Sequence, residues 1–177
     1  MAYRNKTYVC FDADGDIEYY KAMKSWKASD NIDFNFHDAH DLNNIRETSN
    51  EETIKRRLRE RFSDTKLLIV LVGSQTRYHY KYVRWEIEVA LRLEIPIIAV
   101  NIIDSNTRVY EKYPPILRDE LVLNIQFNRH LIKYSIDNWI AEHNRLKSKE
   151  EINNRVWKDH IYQNLGLKQT THNNGYK

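Results

Sequence analysis

Residues 66–93 read KLLIVLVGSQTRYHYKYVRWEIEVALRL, and this stretch decides the fold. Leu67 to Val72 is an unbroken apolar run. A strand covered by helices on both faces has this composition, whereas a half-exposed strand alternates. Gly73-Ser74-Gln75-Thr76 ends the run with turn-forming residues. An amphipathic helix is expected from about Tyr80, because Val83, Ile87, Ala90 and Leu91 recur at i, i+4, i+7 and i+8 and share one face. Glu86 falls about 100° from the centre of that face, at its flank. It also lies in the first turns after the carboxyl end of a strand, the edge where open α/β sheets bind ligands. The plain alternative for Glu86 is a solvated charge. Arg84 and Glu88, spaced i, i+4, would then simply pair with each other on the surface.

Outward from this segment the chain alternates strands and helices. Thr7 to Phe11 is a short β-forming run that ends in the turn Asp12-Ala13-Asp14-Gly15-Asp16. Residues 16–29 follow helical spacing, with Ile17, Tyr20 (or Tyr19), Met23 (or Lys24) and Trp26 inward. Ile32-Asp33-Phe34-Asn35-Phe36 alternates, as a half-exposed strand does, and a polar loop runs from His37 to Asn44. Thr48-Ser49-Asn50 supplies a cap for a helix from Glu51 to about Phe62, whose basic run Lys55 to Arg61 reads as a solvated face. Downstream, Pro96 to Ile102 is a second continuous apolar strand and Leu121 to Ile125 an edge strand. Ile132 to Leu146 is helical. A last helix is expected from Glu150 to Leu165, carrying Ile152, Val156 and Ile161, with Gly166 placed to end it. The pattern predicts an α/β, doubly wound, five-stranded parallel sheet of order 2-1-3-4-5, flanked by helices, with an extra C-terminal helix.

At 177 residues there is room for one domain and a short appendage. The expected division is a domain over 1–147, a helical extension over 148–167 and a flexible tail over 168–177. Twelve Tyr, five Phe and four Trp argue for a packed core and against disorder. No apolar run approaches the ~20 residues of a membrane span, and no signal-peptide apolar region follows Met1. A cytoplasmic protein without membrane partners is expected. The single cysteine, Cys10, excludes an intrachain disulfide and a cysteine-based zinc site. A net charge of +3 is too small to argue for nucleic acid. With four glycines there is no Gly-x-Gly-x-x-Gly and no P-loop.

Several constellations carry possible chemistry. Phe11-Asp12-Ala13-Asp14-Gly15 is similar to the first motif of haloacid-dehalogenase-type phosphatases, which would make Asp12 the nucleophile and Asp14 the acid/base. Ser74, Lys81 and Asp104 are then candidates for the later motifs, but Asp16 stands where that family has Thr. An EF-hand fails, because its glycine must fall at loop position six. His37-Asp38-Ala39-His40-Asp41 has metal-ligand residues but no further cluster to complete a site, so no metal is expected and a polar loop is the plainer reading. Tyr78, Tyr80, Tyr82 and Trp85 could stack a base or simply form core and rim. A Ser74–His79 nucleophile pair lacks an orienting acid.

The strand, the Gly73-Ser74-Gln75-Thr76 turn and the helix start Tyr82-Val83-Arg84-Trp85-Glu86-Ile87 together resemble the ThsB-type, TIR-like domains of bacterial Thoeris anti-phage defence. The resemblance implies a TIR-like sheet with Glu86 as the catalytic carboxylate. It also implies a substrate pocket drawn from Phe11, Asp12, Ala13, His37, Asp38, Ser74, Tyr82 and Trp85. NAD would be the substrate, with no permanently bound cofactor. The product would be an ADP-ribose-derived, cyclic signal nucleotide that activates a downstream effector, and the protein would self-associate through TIR-type surfaces. The first loop is more acidic than is usual in that family, which opposes a pyrophosphate. Two other readings stand beside this one: a non-catalytic TIR-like interaction module, and the phosphatase built on Asp12 and Asp14.

Overall fold

The computed structural model describes residues 6–29, 36–37, 50–78, 80–102 and 112–168. Its centre is a parallel sheet. Strand β1 (Lys6–Cys10) pairs with β3 (Thr65–Val72), β3 with β4 (Ile97–Asn101), and β4 with β5 (Val122–Gln126). A two-residue strand, β2 (Phe36–His37), pairs with Thr7 and Tyr8 on the other side of β1, giving the order β2-β1-β3-β4-β5. Four longer strands form the body of the sheet, and the two-residue β2 is its fifth, edge strand. Of the alternating strand expected over 32–36, only Phe36 lies within the described residues. The long strands are buried on both faces, as their unbroken apolar composition requires: Leu67 to Val72 is entirely buried, and so is Ile97 to Val100.

Helices cover both faces, as expected for this class. They are α1 (Ile17–Ser29), α2 (Glu51–Phe62), α3 (Tyr80–Arg92) and α4 (Arg129–Lys147). The step from β1 to β2 runs opposite to the steps from β2 through β3 to β4. Right-handed crossovers therefore place α1 on one face and α2 and α3 on the other. Tyr20 and Met23 are the inward residues of α1, while Tyr19 is exposed. Helix α2 begins where the sequence capped it: the Asn50 side chain accepts from the Thr53 N–H at 2.9 Å. Its basic run is not wholly solvated, because Lys55 is buried and ion-paired to Glu51 and Glu88.

The C-terminal segment departs from expectation. Instead of one helix over 150–165, the described chain runs without regular structure until α5 (Asp159–Asn164). Glu150 takes a left-handed φ of 59° after α4, which breaks the helical path. Arg155 then pairs its backbone with β5: its N–H donates to the Val122 carbonyl and its carbonyl accepts from the Asn124 N–H, both at 2.7 Å. Exposed main-chain groups on β5 outcompete helix formation here. Gly166 sits just beyond α5 with φ 69°, the terminator read from the sequence.

Candidate functional site

In a parallel sheet all strands end at one edge, and here that edge carries the loop after β1 and the turn after β3. In the first loop Phe11 and Asp12 are buried and Ala13 is half-buried. Phe11 stacks on Tyr20 of α1, with ring centroids 4.7 Å apart. Asp12 closes an Asx turn, its Oδ1 accepting from the Asp14 N–H at 3.3 Å. Its carbonyl accepts from the Asp16 N–H at 2.8 Å. Asp14 is exposed, but Asp16 turns inward and is only 5% exposed.

Asp16 reaches across to the turn after β3. The fully buried Thr76 hydroxyl donates to Asp16 Oδ2 at 3.2 Å and accepts from the Gly73 N–H at 2.7 Å. Gly73 is required by close approach: a Cβ there would lie 2.1 Å from Asp16 Oδ1. Burial, with the neighbouring Asp12 carboxylate adding to it, pushes the Asp16 carboxyl up from 3.8 to about 6, against the Thr76 hydrogen bond. Ser74 stands exposed on the turn so held.

Glu86 is the seventh residue of α3, roughly 9 Å along the axis from the helix's first residue at 1.5 Å per residue. It is not at the flank of the inward face. Trp85, Val89, Ala90, Val83 and Ile87 are all buried, and at about 100° per residue they span an arc with Glu86 near its middle. Glu86 itself is 1% exposed. The sequence reading placed the face too narrowly because it took only the i, i+4, i+7, i+8 repeat and left out Trp85 and Val89. Arg84 and Glu88 do pair, at 2.7 Å, and Lys55 of α2 bonds the second Glu88 oxygen at 2.7 Å.

The remaining expected pocket residues separate into groups. Tyr82 and Trp85 meet edge to face at 5.3 Å, and the Trp85 ring carries the Lys81 ammonium at 5.1 Å and that of Lys55 at 6.0 Å. Trp85 thus packs at the α2–α3 seam. His37 ends β2, and its side chain, like all of Asp38, lies outside the described residues. The same holds for His40, Asp41, His79 and Asp104. Cys10 is fully buried within β1. Among the described residues no group of three or more His, Cys, Asp or Glu could hold a metal, and no helix is long and apolar enough to cross a membrane. A cavity of about 340 Å³ lies between α4 and the C-terminal segment, lined in part by Leu123, Trp139 and Trp157, with no residue of α3, the first loop or the turn on its wall. The phosphatase reading gains nothing from this geometry: Asp14 is exposed, and Lys81 lies against aromatic rings. Two residues escaped the sequence reading. Asp16 stood out only for not being Thr, and Thr76 only as part of a turn. The available signal was Gly73 directly after a buried strand, which marks close approach by another group.

A family model described as the Thoeris protein ThsB, TIR-like domain, matches residues 8–107. The match runs from β1 past the end of β4. It takes in the first loop, the turn after β3, and all of α3 with Glu86, and it spans more than half of the chain. The chain belongs to the TIR-like domain family of the Thoeris protein ThsB.

Proposed function

We propose that this protein is a defence enzyme that cleaves NAD at the bond between nicotinamide and ribose, with Glu86 as its catalytic carboxylate. The observation that carries the reading is Glu86 itself: a carboxylate 1% exposed, near the middle of the buried arc of α3. Burying a carboxylate costs several kcal/mol unless other groups compensate it. Ionisable side chains placed in buried settings cluster at functional sites. Nicotinamide leaves as a neutral molecule from a cationic nitrogen, so no general acid is required. One carboxylate therefore suffices where ordinary glycosidases use two. Glu86 would accept hydrogen bonds from the ribose hydroxyls and stabilise the oxocarbenium charge as it develops. Capture by water gives ADP-ribose. Capture by an adenine nitrogen or a ribose hydroxyl held close gives a cyclic isomer, favoured by proximity. Phe11, Asp12, Ala13, His37, Asp38, Ser74, Tyr82 and Trp85 are the proposed surroundings, with NAD as substrate and a downstream effector as the reader of the product.

A second reading is a non-catalytic TIR-like module that works by self-association, in which the buried Glu86 serves only the packing of α3. The test is NAD consumption by purified protein at high concentration, with products resolved by mass spectrometry. Wild type should release nicotinamide, and Glu86→Gln should lower the rate at least about 100-fold, the scale set by removing one transition-state stabiliser. Failure of wild type to turn over NAD, both alone and in extract from phage-infected cells, rejects the enzyme and leaves the module.

A further inference from the structure

We infer that Asp16 is a positioning residue: through Thr76 it locks the turn 73–76, and with it Ser74, against the loop after β1. The inference rests on the NAD-cleaving reading for its catalytic consequence, and on geometry for the lock. Three groups form a relay across sixty residues of chain. The Gly73 N–H donates to the Thr76 hydroxyl, and that hydroxyl donates to Asp16. Thr76 is fully buried and Asp16 nearly so, so these bonds form without competition from bulk water. Gly73 leaves no room for a side chain between its own Cα and the carboxylate. The relay therefore ties the two loops together, and the backbone that carries the exposed Ser74 is held by its neighbour.

The lock has a second state. The Thr76 hydroxyl also lies 3.5 Å from the Leu71 carbonyl. With Asp16 ionised, that hydroxyl donates to the carboxylate. With Asp16 protonated, the carboxyl itself becomes the donor to Thr76, and the Thr76 proton turns to Leu71. Among the described residues, the titratable group that faces Asp16 closely enough to shift it is Asp12 of the same loop. The turn contributes Gly73 and Thr76, neither of them titratable.

Two readouts test this in the full chain. First, the Gly73 amide resonance is followed by NMR against pH. In wild type it should shift with a midpoint at about 6. In Asp16→Asn the shift should vanish while the β4 amides keep their positions; in Thr76→Val it should shrink to the direct effect of the neighbouring carboxylate, and Thr76→Ser should retain it in full. A Gly73 resonance indifferent to Asp16→Asn overturns the lock. Second, nicotinamide release is measured across pH. Asp16→Asn and Thr76→Val should lose roughly tenfold or more in kcat/KM, the scale of misplaced positioning groups. They should also lose the inflection near pH 6, and Thr76→Ser should restore both. Full activity with an unchanged pH profile in both variants overturns the positioning role. Absence of turnover in wild type rejects the NAD reading alone, and the lock is then decided by the Gly73 resonance.

Discussion

Asp16 holds its charge in a setting that disfavours charge, and this fixes the sign of its contribution to stability. Its carboxyl titrates at about 6 in the folded protein against 3.8 for a fully solvated aspartate, with burial the largest cause. The folded state therefore binds this proton more tightly than the unfolded chain does. The stabilisation is complete below about pH 3.8 and is lost as pH rises through about 6. The difference corresponds to roughly 3 kcal/mol. The prediction concerns wild type relative to Asp16→Asn, since other carboxylates slope the opposite way. Between pH 3.5 and 7, wild type should lose about 2–3 kcal/mol against the variant in denaturant titrations. A flat difference would show that Asp16 titrates as a solvated aspartate. Such a residue was not legible in the sequence. Three aspartates in five residues read as a polar turn, and nothing local distinguishes the one that reaches across the sheet edge. Glu86 was legible as a residue to watch, through its wording and its place after a strand, but its burial was not. That depended on Trp85 and Val89 also facing inward, which the repeat of Val83, Ile87, Ala90 and Leu91 does not reveal.

Helices α2 and α3 illustrate how an element is fixed by its seam. The periodicity of α3 and the Asn50 cap of α2 were readable because both are local. What joins them was not, because Lys55 and Glu88 lie 33 residues apart and each looked solvated alone. In the fold the Lys55 side chain is 11% exposed and that of Glu88 17%, with Nζ–Oε2 at 2.7 Å, and Arg84 completes the cluster. Charges this sheltered bond more strongly than surface pairs but leave a desolvation penalty when separated. Lys55→Ala should therefore cost about 2 kcal/mol, well above the ~0.5 kcal/mol of an exposed pair. The combined Lys55→Met, Glu88→Gln protein should recover most of that loss, because no charge is then left sheltered without its partner. A loss from Lys55→Ala no larger than that of Lys133→Ala, whose i, i+4 pair with Asp137 is exposed, would show that the seam is held by apolar contact alone.

At the scale of the whole molecule, the question is what closes the β5 side of the sheet. An open parallel edge presents unpaired main-chain groups to other chains. Here the extended segment before α5 covers it, and Asn154 fastens that segment. Its side-chain oxygen accepts from the Tyr113 hydroxyl at 2.7 Å and from the Asn124 amide at 2.6 Å. Its amide donates toward the carbonyls of Leu117, Arg118 and Glu120 at 2.9, 2.8 and 3.2 Å. One residue thus joins the turn before β5, the strand itself and the C-terminal segment, and the backbone of the next residue, Arg155, continues β5's ladder. The helical reading of 150–165 missed this because the decisive partners all lie thirty or more residues upstream. An isosteric change separates shape from bonding. Asn154→Asp keeps the volume and both acceptor contacts, but at neutral pH it turns an anionic oxygen toward three carbonyls. The cost should be about 3 kcal/mol or more, exceeding that of Asn154→Ala, which removes the bonds without adding repulsion. Lowering the pH should return part of the loss, since a protonated carboxyl supplies one donor. The loosened segment should also uncover β5, so Asn154→Asp should self-associate at concentrations where wild type does not, as read by light scattering. Equal stability of Asn154→Asp and wild type at pH 7 would mean that the edge is held by the Arg155 backbone pair without the side-chain hub.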